Sequence, residues 1–189
     1  MGLMNTLLFV RHAETDLAGR FCGHSNPPVN DRGFRQIASL LEILKSEPVD
    51  AIYSSDLVRS FKTAEAIGSL FEISPVALPA LREIDFGNWE TLSWAEIESR
   101  DQEYASLWLS AYPNLPASGG ECFQAFQSRV LSAINGLLAE SSEKRSVIVT
   151  HAGVMRVVLR ALCGLGEEDA WKQTESYCGF FRYQQGRLL

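Results

Sequence analysis

Apolar residues follow two rhythms along this chain. One is the short unbroken run, as in Leu7-Leu8-Phe9-Val10, Ala51-Ile52-Tyr53 and Val147-Ile148-Val149. Consecutive apolar residues with no polar alternation suit strands buried on both faces. The other is a spacing of three or four. Phe34, Ile37, Ala38, Leu41 and Leu44 follow it, then Leu57, Phe61, Ala64, Ile67 and Phe71. It returns in Phe123, Phe126, Val130, Ala133, Ile134, Leu137 and Leu138, and a last helix is expected over 154–162. These stretches predict amphipathic helices, with Asn30 and Asp56 as N-caps of the first two. Val76-Ala77-Leu78 suits a short strand. The tail, Phe180-Phe181-Arg182-Tyr183 and then Gln184-Gln185-Gly186-Arg187, suits a final strand or hairpin. Strands alternating with helices imply an α/β fold with a mostly parallel sheet.

Two stretches break the alternation. Residues 15–29 form a long loop with Gly19, Gly23 and Pro27-Pro28. Loops of this length inside compact domains are usually functional. Residues 81–90 mix charges with aromatics, and 91–112 read as mostly helical, with Trp94, Ile97, Tyr104, Leu107 and Trp108 as apolar contacts. Proline and glycine over 113–120 end that stretch. The segment from about 81 to 120 therefore reads as an insertion capping one end of the sheet. With no internal repeat or linker, the expectation is one domain over 1–189.

Composition narrows the function. The chain has 189 residues, 46% hydrophobic and 21% charged, a normal globular balance. Its net charge is −6 with no like-charge block, which argues against nucleic acid as a partner. No apolar stretch is long enough to span a membrane, and no signal-like start is present. Met1-Gly2-Leu3-Met4-Asn5-Thr6 fits the bare myristoylation pattern, but it leads straight into the first strand and is set aside. Cys22, Cys122, Cys163 and Cys178 are scattered without a C-x-x-C pair, so no disulfide framework is indicated and a cytoplasmic location is expected. A homodimer is left open.

The chemistry lies at the strand ends. The first strand ends in Arg11-His12-Ala13-Glu14-Thr15, and the strand at 147–150 ends in His151-Ala152-Gly153. Arg59 falls in the first turn of the helix after the second strand. An arginine there opposes the helix dipole, a local conflict that points to function. A surface Arg beside a hydrogen-bonding His would give the same letters as Arg11-His12 alone. Three strands each delivering a basic group to the carboxyl edge, where open α/β sheets bind ligands, make a shared anion site the better reading. Gly153 would let helix N–H groups approach an anion.

With these motifs the chain resembles the histidine phosphatase superfamily, the phosphoglycerate mutase-like enzymes. Arg11-His12-Ala13-Glu14-Thr15 matches its Arg-His-Gly-Glu-Thr/Ser signature, Arg59 its helix arginine, Glu83 its insertion acid and His151 its second histidine. The resemblance implies a three-layer α/β/α fold with a helical cap. It also implies a metal-independent, cofactor-free mechanism on a small-molecule phosphate monoester. His12 would attack phosphorus to form a phosphohistidine. Arg11, Arg59 and His151 would hold the phosphoryl oxygens. Glu83 would give a proton to the leaving alkoxide and take one from water.

Substrate contacts are further expected at Thr15, Cys22, Gly23, His24, Ala152 and Gly153. The chain departs from the family at Ala13, where glycine is usual, and at Ala18, where a phosphate-contacting asparagine is common. A zinc site from His12, Cys22 and His24 fits no structural zinc spacing. The segments at 23–29, 81–90 and 119–121 most resemble the α-ribazole phosphatases of cobalamin synthesis. Mutases are usually longer, with a tail that shields the phosphohistidine, so hydrolysis is favoured. A broad or sugar-phosphate phosphatase, a mutase and a non-catalytic phosphate-binding module stay open. A serine hydrolase is disfavoured, because no G-x-S-x-G elbow occurs.

Overall fold

The computed structural model of the chain describes residues 5–139, 144–184 and 187–189. Most of the myristoylation pattern, and Gln185 and Gly186 of the expected final strand or hairpin, lie outside the described residues.

The sheet has the order β3-β2-β4-β1-β5-β6. Its strands are β1 (Thr6–Arg11), β2 (Ala51–Ser54), β3 (Val76–Ala77), β4 (Arg145–Thr150), β5 (Phe180–Gln184) and β6 (Arg187–Leu188). The first four in spatial order run parallel, and β5 and β6 are antiparallel. Both faces of the central strands are covered, which is why they read as unbroken apolar runs. Leu7, Phe9 and Ile148 pack against α5 (Phe123–Ala139) and α6 (Ala152–Ala161). Leu8, Val10, Val147 and Val149 pack against α1 (Asp31–Leu44) and α2 (Val58–Phe71). The fold is the expected α/β arrangement, with helices on both sides of a mostly parallel sheet.

A third apolar cluster lies apart from the sheet. Trp89, Leu92, Ile97, Ala105 and Ala117 form it with α3 (Trp94–Arg100) and α4 (Gln102–Ala111), inside the expected cap segment. The stretch expected to be mostly helical is broken at Asp101. Asp101 leaves the helical region at φ −155° and accepts the Tyr104 N–H at 3.0 Å as the N-cap of α4.

Two local expectations are corrected. The buried stripe of α1 is Gly33, Ile37, Leu40 and Leu44, so Phe34 is 50% exposed and Ala38 faces outward. Gly33 sets this face, because a Cβ there would stand 2.4 Å from the Glu14 carbonyl oxygen. Asn30 does cap the helix, accepting from Gly33 N–H at 2.8 Å. Asp56 does not cap α2. Its carboxylate binds Arg82 at 2.7 and 2.5 Å, and Asn26 from the long loop accepts the Val58 N–H at 2.7 Å instead. A short helix, α7 (Glu167–Gln173), precedes β5 and carries no strong apolar period.

Candidate active site

Register brings the two histidines together. β1 and β4 pair with Arg11 opposite Thr150, and the ladder continues as His12 N–H donates to the Thr150 carbonyl at 2.9 Å. One residue past each strand stand His12 and His151, their rings 5.0 Å apart. Both are buried.

His12 is held in one tautomer. Its Nδ1–H donates to the Ala13 carbonyl at 2.7 Å, leaving the Nε2 lone pair facing the site. Arg59 Nε donates to that Nε2 at 3.2 Å. Burial and then the Arg59 cation push the His12 pKa well below its ordinary value, with Arg11 adding to the effect. A neutral imidazole can act as a nucleophile toward phosphorus once a phosphoryl group draws the Arg59 N–H away from its Nε2 lone pair.

His151 accepts at Nδ1 from Arg59 Nη2 at 3.2 Å, so its Nε2–H donates to Ser55 Oγ at 2.9 Å. Burial, then Arg59, push its pKa well below the ordinary value too. Arg59 itself is fully buried, although it opens a helix. Its guanidinium curls to the centre of the site and donates to the carbonyls of Ser25 (2.7 Å), Gly23 (2.8 Å) and Cys22 (3.2 Å). Arg11 sits on the other side of His12. It lies 3.9 Å over the Tyr177 ring and donates to the Thr174 carbonyl at 3.1 Å, while its Nε has no partner among the described residues. An unpartnered buried donor beside His12 suits an oxyanion.

Glu83 reaches the site from the cap segment. Its carboxylate accepts from Gly153 N–H at 2.9 Å and from its own neighbour, Ile84 N–H, at 2.9 Å. The backbone that carries it is clamped by Arg129, which donates to the carbonyls of Ala80 (2.9 Å), Arg82 (2.8 Å) and Glu83 (2.8 Å). Glu121 fixes Arg129 in turn, at 2.7 and 2.8 Å.

The expected binding residues divide. Cys22 and Gly23 lie at the site, but through their carbonyls on Arg59; the Cys22 thiol turns to the Ser25 carbonyl at 3.8 Å. Gly153 is present, but its N–H serves Glu83. Ala152 is buried at the start of α6. His24 stands at the rim, 3.5 Å from Asp85. Thr15 is not part of the cluster. Its hydroxyl accepts from Leu17 N–H at 3.3 Å and its backbone bridges Val29, so it closes the loop. Ser55, Arg129 and Tyr177 escaped sequence reasoning. An arginine on a buried helix face was the one available signal, at Arg129. Among the described residues, no three His, Cys, Asp or Glu side chains gather as a metal site would require.

A cavity of about 530 Å³ opens from Glu83 and Gly153 toward α3 and α4. Phe86, Trp94, Trp108, Tyr112, Phe123 and Trp171 line it, and Arg156 enters its wall. Arg156 lies 3.3 Å over the Trp171 ring with Nε on Thr174 Oγ1 at 3.0 Å.

The family model described as "Histidine phosphatase superfamily (branch 1)" matches residues 7–186. The chain belongs to the histidine phosphatase superfamily. It is accordingly an enzyme that hydrolyses phosphate monoesters. Among its relatives, the adenosylcobalamin/alpha-ribazole phosphatase of Salmonella typhimurium is 31% identical over 95% of this chain and 86% of that protein. Phosphoserine phosphatase 1 of Hydrogenobacter thermophilus is 29% identical, over 89% of this chain and 81% of the relative. The crystal structure of the alpha-ribazole phosphatase from Shigella flexneri superposes with a TM-score of 0.86 at 28% identity, covering 97% of this chain and 93% of that one.

Proposed function

We propose that this histidine phosphatase removes the phosphate of α-ribazole 5′-phosphate without a metal, through a phosphohistidine on His12. The observation that carries the substrate is the aromatic cavity beside Glu83. A leaving alcohol protonated by Glu83 extends into that space, and the wall of tryptophans, tyrosine and phenylalanines suits a flat benzimidazole base. A phosphoserine leaving group, small and zwitterionic, gains little from such a wall.

In the first half-reaction His12 Nε2 attacks phosphorus in line with the leaving oxygen. The P–N bond forms as the P–O bond breaks, and Glu83 transfers its proton to the departing oxygen. Arg11 and Arg59 offset the charge of the phosphoryl group, and His151 holds the Arg59 guanidinium beside it. In the second half, water enters where the alcohol stood. Glu83 takes its proton, and phosphate leaves with the His12 lone pair restored. The segment from about 81 to 120 acts as the cap over the leaving-group side of one domain. We place the enzyme in a reducing cytoplasm, where Cys22, Cys122, Cys163 and Cys178 stay free thiols.

The test is phosphate release from α-ribazole 5′-phosphate with chelator present, by wild type and by His12→Ala. Fast release, abolished in the variant, is expected. Release no faster than from simple sugar phosphates would replace the substrate with a broad phosphomonoester class.

A further inference from the structure

Glu90 lies behind the phosphate site and makes no hydrogen bond to Arg11, His12, Arg59 or His151. Its carboxylate accepts from Gly23 N–H at 3.1 Å on both oxygens, from His24 N–H at 2.8 Å, from Ser25 N–H at 2.9 Å and from Phe86 N–H at 3.1 Å. The opposite edge of the same loop presents the carbonyls of Cys22, Gly23 and Ser25 to Arg59. The loop is thus held between two charges. Its N–H groups face a carboxylate and its C=O groups face a guanidinium, the favourable sense for peptide dipoles at both ends. Gly23 permits this sandwich, since a Cβ there would stand 2.0 Å from the Ile84 carbonyl oxygen and 2.5 Å from Glu90 Oε1. Asn26, next along the loop, caps α2 just before Arg59.

We propose that Glu90 is a positioning residue which, through the loop at 22–25, holds the Arg59 guanidinium against His12 and His151. Arg59 takes three of its contacts from that loop and two from the histidines. If the loop loosens, the guanidinium loses the carbonyls that fix its direction.

The consequence is read at His12. The groups that face His12 are Arg59 from α2, Arg11 at the end of β1, His151 beyond β4 and Tyr177 before β5. Around Glu90 stand the Cys22 thiol, Arg59 across the loop, and the His24–Asp85 pair. After burial, the Arg59 cation is the largest influence holding His12 neutral. Moving Arg59 away therefore raises the His12 pKa back toward that of a free imidazole.

The experiment is Glu90→Gln, with the His12 ring titrated by ¹H–¹⁵N NMR in the resting protein and orthovanadate binding measured beside it. The amide keeps the shape but turns N–H donors toward the loop's own N–H groups. A higher His12 titration midpoint and vanadate binding weaker by roughly tenfold are expected, the scale of one charge-assisted hydrogen bond. Adding Glu90→Gln to Arg59→Met should cause no further loss, because both act through one group. An unmoved midpoint, or losses that multiply in the double variant, would overturn the proposal. If the glutamine variant does not fold, Glu90→Asp keeps the charge one methylene short and is read by the same criteria. The inference rests on His12 as the nucleophile. Turnover surviving His12→Ala would defeat that reading by itself, whereas the NMR midpoint reports on Glu90 independently of turnover.

Discussion

Gly153 donates its backbone N–H to Glu83 Oε2 at 2.9 Å, and a Cβ on Gly153 would stand 2.1 Å from Glu83 Oε1. The acid and the start of α6 meet where no side chain fits between them. Gly153→Ala must push Glu83 out of line with the site. Turnover is expected to fall by about 10²-fold, the scale of a misplaced proton donor, with the protein still folded by circular dichroism. Unchanged kcat would show that Glu83 is not held there for chemistry.

Glu83→Gln separates proton transfer from binding. Loss of a general acid costs roughly 10²–10⁴ in rate with a poor alkoxide leaving group. With p-nitrophenyl phosphate, whose leaving group departs without a proton, the first half-reaction should be largely spared. A burst of nitrophenol followed by slow turnover is the expected trace. Equal losses on both substrates, without a burst, would count against the role.

Stability should follow the two buried histidines. Both have pKa values pushed well below the ordinary one, so the unfolded chain binds more protons than the folded one as pH drops. This contribution is intact above about pH 6.5, the unperturbed histidine value, and is lost as the pH falls from there toward the folded-state values. Urea midpoints should decline across that window, and His12→Gln should flatten the decline. A slope identical in the variant would assign the effect to other groups.

Arg129 anchors the backbone of the acid. Arg129→Met leaves the carbonyls of Ala80, Arg82 and Glu83 without their donor and Glu121 without its cation. A loss of about 2 kcal/mol by urea denaturation and a drop in kcat are expected together. Arg129→Lys should recover little, because one ammonium cannot span three carbonyls and a carboxylate.

Arg156 is expected to meet the leaving group, since it enters the wall of the cavity beside Glu83. Its Nη atoms have no hydrogen-bond partner among the described residues, while Trp171 and Thr174 fix its plane in the cavity wall. Arg156→Met should lower kcat/KM for α-ribazole 5′-phosphate by about tenfold, through a lost hydrogen bond to a sugar hydroxyl. Phenyl phosphate, which lacks that hydroxyl, should be turned over as before. A parallel fall on both substrates would mean that the change reaches Arg11 through Thr174, which binds both arginines.

Local pattern decided a large part of this protein. Unbroken apolar runs mark strands buried on both faces, so the ends of β1 and β4, and with them Arg11, His12 and His151, were legible from spacing alone. Arg59 was visible as a cation in the wrong place for a helix dipole. Glu83 was legible only through the family motif, since a glutamate in a mixed loop carries no signal of direction.

Tertiary structure decided what these groups do to one another. The pairing of Arg11 with Thr150 sets the histidine rings side by side, and that register joins residues far apart in sequence. Asp56, a good cap by sequence, goes to Arg82 because a guanidinium is within reach and Asn26 already serves the helix. Thr15 turns to its own loop, and Gly153 N–H turns to Glu83. Periodicity reports which side of an element is dry, because that depends on its own residues. The partner of a polar side chain depends on which distant backbone arrives beside it, and here that was settled by the loop at 22–25 and the segment at 81–120.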